Sequence, residues 1–270
     1  MLLTRHQTPA GPRWALDGHF LPRGLTLSAL LSLPQSSLVS LLQSLSPTEA
    51  ATGELLSPVE PAQEVWGSGV TYLRSREARK AESTIADVYQ RVYEAERPEL
   101  FFKSAGWRVV GHDGAVRIRQ DTRWNVPEPE LTLVVNAHQE IVGYSVGNDM
   151  SSRNIEGENP LYLPQAKTYN GSCAVGPGIQ IAAADAMIDL TIQLQISRGG
   201  EVAFTGETST SNMKRPLAEL VSYLCRELDF PHGAFLMTGT GIVPPDNFTL
   251  QAGDTIRIMI GELTLENQVA

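Results

Sequence analysis

The sequence predicts an α+β protein dominated by sheet, with few helices. Three observations lead there. Ile188, Leu190, Ile192, Leu194 and Ile196 alternate with Asp189, Thr191, Gln193, Gln195 and Ser197, the period of a half-buried strand. Residues 131–135 and 141–146 flank a polar turn at 136–140 and read as a hairpin. Helical spacing of apolar residues is confined to three short stretches.

Taken in order, residues 1–65 read as a small α/β domain. Leu38, Leu41, Leu42 and Leu45 form one helical stripe after Pro34, and a stretch rich in Ser, Thr, Gly and Pro at 46–61 reads as a connection. A second helix is expected from Ala81, Ile85, Val88 and Val92 and ends before Pro98, because a proline pushes its predecessor out of the helical region. The hairpin follows, then the alternating strand, closed by a turn at Gly199-Gly200. Leu217, Leu220, Val221, Leu224 and Leu228 share one face of a third helix. The chain is expected to end in the alternating strand of Ile256, Ile258 and Ile260.

The 270 residues carry a formal net charge of −9, which argues against a nucleic-acid partner, since phosphate neutralisation needs clustered Lys and Arg. A small anionic substrate stays open, because a bound metal ion reverses the local field. Two cysteines without paired spacing make neither a disulfide framework nor a zinc site and fit a reducing cytoplasm. The N-terminus lacks the apolar core of a signal peptide. The most apolar stretch, residues 25–45, is broken by Pro34 and too polar to span a bilayer, so no membrane association is expected.

The chemistry centres on Val126-Pro-Glu-Pro-Glu-Leu131. In an extended segment residues two apart share a side, so Glu128 and Glu130 project together, and Pro127 and Pro129 forbid helix. Adjacent carboxylates repel unless a cation lies between them. Asp149 falls just past the return strand of the hairpin and can reach the same side. Three hard oxygen donors without His or Cys point to magnesium, with manganese or calcium as alternatives. A solvated edge for the glutamates and a helix cap for Asp149 remain open readings at this point. Lys167 stands amid Pro, Tyr and Gly with no helical or strand period, where its amine could act as a base or bind a carboxylate. Lys103-Ser104 and the turn Thr238-Gly-Thr-Gly241 offer a second cation and an anion-wrapping backbone, although a plain turn explains the latter equally well. Cys173 lies nearby but has no base beside it in sequence.

Val-Pro-Glu-Pro-Glu-Leu, then Gly-Tyr-Ser-Val-Gly-Asn-Asp-Met-Ser-Ser-Arg, then Thr-Gly-Thr-Gly form an ordered series that resembles the fumarylacetoacetate hydrolase superfamily from about Trp66 onward. The resemblance implies a mixed β-roll over residues 66–270, often assembled as a homodimer or homotetramer. Glu128, Glu130 and Asp149 match its metal carboxylates, and Lys103, with Ser104 beside it, and the Thr240-Gly241 turn match its substrate pocket. Arg97-Pro-Glu-Leu-Phe-Phe-Lys103 and Glu158-Asn-Pro-Leu-Tyr-Leu-Pro-Gln-Ala-Lys167 are similar to the 2-dehydro-3-deoxy-D-arabinonate dehydratase branch, where Lys167 and Glu99 match pocket residues implicated in the reaction. Hydrolases of the superfamily place a water-activating His–Glu pair in a lid; here Ser75 and Ala78 hold those places, with Glu77 one position off. Neither Ser nor Ala is a general base at neutral pH.

The expectation is therefore a metal-dependent dehydratase of a 2-keto-3-deoxy sugar acid. An acylpyruvate or β-diketone hydrolase, or an oxaloacetate decarboxylase or isomerase, is the alternative. A third reading is a metal-stabilised protein that binds a 2-oxo acid without turning it over.

Overall fold

The computed structural model describes residues 1–74 and 86–270, with the side chains of 86–89 excepted. The N-terminal segment supplies β1 (Leu2–Thr8), β2 (Gly11–Leu16), β3 (His19–Phe20), α1 (Leu27–Leu31), α2 (Gln35–Ser44) and β4 (Leu55–Leu56). Then come β5 (Glu64–Gly69), α3 (Ala86–Glu94), β6 (Glu99–Ala105), β7 (Ala115–Val116) and β8 (Asn125–Val126). The hairpin pairs β9 (Pro129–Val135) with β10 (Ile141–Asp149), followed by β11 (Ser151–Ser152), α4 (Arg153–Glu158) and α5 (Leu163–Lys167). The remainder is β12 (Cys173–Ile181), β13 (Thr191–Arg198), β14 (Glu201–Ser209), α6 (Leu217–Leu224), β15 (Ala234–Met237), β16 (Thr255–Ile260) and β17 (Leu263–Val269).

The large sheet runs β3-β2-β1-β12-β10-β9-β15-β5-β6, with β4 also on β1, so the N-terminal strands are hydrogen-bonded into the sheet that carries the hairpin. A second sheet runs β14-β13-β16-β17-β7. The central hairpin strands are covered on both faces. Leu131, Leu133 and Val135 join one core with Ile192, Leu194, Ile256 and Ile258 of the second sheet. Val134 and Val142 join the other, with Leu27, Leu30, Leu31, Leu38 and Leu42 of α1 and α2. A strand packed on both faces reads as a continuous apolar run, which is why residues 131–135 show no alternation in sequence. β13, packed on one face only, does alternate.

Several sequence expectations shift in the structure. The alternating strand starts at Thr191, and Ile188 lies outside it, exposed, after a 3-10 turn at Ala184–Met187. Its closing turn is as expected, with Gly199 and Gly200 at φ 59° and 89°, a left-handed pair that side chains resist. α6 stops at Leu224, and Leu228 is exposed. The last strand is β17, whose Asn267 and Glu266 interrupt the apolar signal. Lys167, expected outside any regular element, ends the short helix α5, five residues being too few to display a period. Of the second helix, Val88 and Val92 fall within α3; Ala81 and Ile85 lie outside the described residues, as do Ser75, Glu77 and Ala78.

Candidate active site

Alternation along β9 puts Glu130 on the face of Thr132 and Val134, and Glu128 stands one residue before the strand begins. Gly147 pairs with Glu130 across the hairpin, and the Asp149 N–H donates to the Glu128 carbonyl at 2.9 Å, so the hairpin geometry delivers Asp149 to the same face. Pairing continues past the site. Ser151 faces Val126, Ser152 faces Asn125, and the Arg153 N–H donates to the Trp124 carbonyl at 2.9 Å, which fixes both chain ends beyond the carboxylates. Glu128, Glu130 and Asp149 are all buried, and each offers an oxygen within 4.8 Å of the others.

Cations surround this cluster. Lys167 Nζ lies 2.7 Å from Glu128 Oε2 and 2.9 Å from Asp149 Oδ2. Lys103 Nζ, with no exposed surface, sits 2.5 Å from Asp149 Oδ1 and also donates to the carbonyls of Met150 and Lys167. Arg153 Nη2 lies 3.0 Å from Glu128 Oε1. The Gly239 N–H donates to Glu130 Oε2 at 2.6 Å. The Thr-Gly-Thr-Gly turn thus spends that N–H on the protein's own carboxylate.

A small cavity opens over the cluster. Glu128, Glu130, Asp149 and Lys167 line it, together with Glu99, Phe101, Glu156, Leu163, Thr240 and the segment Ser68-Gly69-Val70. Glu99 stands opposite Gly69, where a Cβ would come within 1.9 Å of Glu99 Oε2, so the bare glycine gives the carboxylate its room. Val70 takes φ 53°, a strained conformation for a β-branched residue, and strain of this kind gathers at functional sites. The neighbouring Thr71 hydroxyl donates to the Thr238 carbonyl at 2.6 Å.

Of the residues singled out from sequence, Glu128, Glu130, Asp149, Lys167, Glu99 and Thr240 share the cavity wall, and Lys103 backs it. Ser104 and Gly241 do not line it. The Ser104 hydroxyl donates to the Ala105 carbonyl, and Gly241 packs where a Cβ would meet the Tyr72 ring. Cys173 is buried with its thiol pushed up to about 12, chiefly by desolvation, which removes the thiolate needed of a nucleophile. Sequence reasoning passed over Arg153 and Glu156. Both lie on α4, three residues apart and so on one helix face, which was the available signal. The Ser151 hydroxyl donates to Glu156 at 3.0 Å.

The donor set fits a hard divalent cation. Glu130 is held well above the usual carboxylate range, first by burial and then by the charges of Asp149 and Glu128, with Lys167 and the Gly239 N–H acting against them. Among the described residues, five carboxylates line the cavity, whereas Lys167, Lys103 and Arg153 supply three cations. The ligand oxygens of Glu128, Glu130 and Asp149 are of the kind magnesium prefers.

Comparison with known proteins gives a consistent picture. The fumarylacetoacetate hydrolase C-terminal family matches residues 64–270. A probable 2-keto-3-deoxyxylonate dehydratase of Haloferax volcanii is 48% identical over 214 residues, covering 78% of this chain and 73% of that protein. The 2-dehydro-3-deoxy-D-arabinonate dehydratase of Saccharolobus solfataricus is 42% identical over 217 residues, covering 77% and 72%. Among solved structures, a 2-keto-3-deoxy-D-arabinonate dehydratase complexed with magnesium and 2,5-dioxopentanoate superimposes with a TM-score of 0.83 at 33% identity, covering 100% of this chain and 98% of that one.

Proposed function

This chain belongs to the fumarylacetoacetate hydrolase family, and from that premise we propose that it dehydrates a 2-keto-3-deoxy sugar acid, 2-dehydro-3-deoxy-D-arabinonate, to 2,5-dioxopentanoate. It is a lyase that uses magnesium. The observation that carries the residue assignment is the Lys167 amine, held at a buried carboxylate cluster on a cavity that Glu99 also lines.

In this reading Glu128, Glu130 and Asp149 would hold the ion. When bound, it supplies Lewis-acid stabilisation of charge developing on the 2-oxo acid, a contribution of several kcal/mol. Lys167, as the neutral amine after its own proton has gone to solvent, takes a proton from C3. Glu99, on the same cavity wall, hands a proton to the C4 hydroxyl, which leaves as water. The resulting C3–C4 double bond moves to C4–C5 as C5 loses a proton and C3 regains one, and the enol at C5 collapses to the aldehyde. The Thr240 turn would bind the substrate's polar groups, whereas Lys103, placed in the substrate pocket by the sequence, would instead hold Asp149 from behind the wall, with Ser104 and Gly241 also set back from it. The chemistry is assigned to residues 66–270; residues 1–65, expected as a small domain of their own, instead add strands to the same sheet and pack α1 and α2 against the hairpin.

No helix among the described residues is long and apolar enough to cross a membrane. The two free, buried thiols support a reducing cytoplasm. A homodimer or homotetramer accords with exposed apolar groups such as Trp107, Ile188 and Val202, and light scattering reads it directly.

The functional test is a proton NMR time course with 2-keto-3-deoxy-D-arabinonate and magnesium, beside an acylpyruvate and a Glu128→Ala control. Metal-dependent aldehyde from the sugar acid alone is expected. Pyruvate from the acylpyruvate instead would mean hydrolysis, and the dehydratase reading would fall.

A further inference from the structure

Each carboxylate of the cluster is gripped at one oxygen by a donor fixed in the scaffold. Arg153 takes Glu128 Oε1, the Gly239 N–H takes Glu130 Oε2, and Lys103 takes Asp149 Oδ1. The second oxygens of Glu128 and Asp149 meet at one group, the Lys167 ammonium, at 2.7 and 2.9 Å. A cation shared by these two carboxylates would compete with Lys167, whose ammonium already bridges one oxygen of each. In a buried site two cations on the same pair of oxygens repel strongly.

We infer that Lys167 is the counter-ion of Glu128 and Asp149 in metal-free protein, and that magnesium uptake displaces its ammonium from them into the substrate cavity. The exchange presents the Lys167 amine to substrate only when the ion is in place. The backbone of Lys167 stays fixed, because its carbonyl accepts from Lys103 Nζ at 2.5 Å, so the movement belongs to the side chain. A place for the displaced amine exists. Lys167 Nζ already stands 5.8 Å from the centroid of the Phe101 ring, and Phe101 and Leu163 both line the cavity. An ammonium over an aromatic face retains part of the attraction it loses at the carboxylates. The inference rests on the reading that Glu128, Glu130 and Asp149 hold the ion.

The test is magnesium binding without substrate, by titration calorimetry at pH 8, on the wild type, Lys167→Met and Glu128→Gln. With the competing cation gone, K167M is expected to bind magnesium at least about tenfold more tightly than wild type. Equal or weaker binding by K167M overturns the exchange. A second measurement needs only the wild-type fold: side-chain NMR of 15N-lysine protein, with the Lys167 ammonium signal assigned by its loss in K167R. Saturating magnesium should abolish the hydrogen-bonded Lys167 signal and leave that of Lys103. A Lys167 signal unchanged at saturation overturns the inference. If magnesium binds wild type and E128Q alike, the carboxylate reading itself fails. If it is lost in E128Q yet unaltered in K167M, only the exchange fails.

Discussion

Replacing Glu130 by Gln removes one negative charge from the buried cluster while keeping an oxygen to accept the Gly239 N–H. Its carboxylate oxygen lies within 4.8 Å of one on Glu128 and one on Asp149. At an effective dielectric constant near 20, two unit charges at that separation repel by about 3.5 kcal/mol. Lys167 offsets roughly one of the two repulsions, leaving about 3.5 kcal/mol of repulsion against ionised Glu130 in the metal-free protein, to which burial adds. Its folded pKa is raised above the unfolded carboxyl value of about 4.3, so between the two the folded state binds more protons than the unfolded state. The stabilising contribution of protonated Glu130 is complete below about pH 4.3 and is lost as pH rises to the folded value, by at most about 1.4 kcal/mol per unit. Calorimetric melting at pH 5 and pH 8, in chelator and in magnesium, reads this out. Metal-free E130Q should melt higher than wild type at pH 8, by about 6 °C or more for a chain of this length, and the gap should narrow at pH 5. Magnesium should raise the wild-type midpoint and move that of E130Q far less. An E130Q midpoint at or below wild type at pH 8, or equal shifts with magnesium, would refute the electrostatic account of the cluster.

Glu99→Gln should lower kcat by about 10² to 10⁴-fold, the usual loss for a general acid, with magnesium affinity by calorimetry unchanged. Gly69→Ala should cost on the order of 10²-fold in turnover, because the new methyl group, 1.9 Å from Glu99 Oε2, must push that carboxylate aside; unaltered kinetics would show that the position of Glu99 is unimportant. Arg153→Met takes the guanidinium from a buried pair with Glu128 and should destabilise the fold by about 3–5 kcal/mol in urea, whereas a loss below about 1 kcal/mol would mean that the pair is solvated.

The sequence by itself determined what depends on local periodicity. The hairpin of β9 and β10 was legible from two apolar runs around a polar turn, and strand alternation then placed Glu128 and Glu130 together with Asp149 at the matching end. The half-buried β13 and its Gly199-Gly200 turn were readable for the same reason. The four-residue β15, the Gly- and Pro-interrupted β12 and the five-residue helix bearing Lys167 gave no such signal and went unread. Tertiary structure decided the rest of the site. Glu99 and Lys103 reach it from the edge strand β6, Lys167 from the end of α5, Arg153 and Glu156 from α4, and the Gly239 N–H from the turn after β15. No repeat in sequence links these segments. Their meeting is set by sheet order and by which face each strand turns to the cavity, and only there do opposite charges come close enough, out of water, to hold one another.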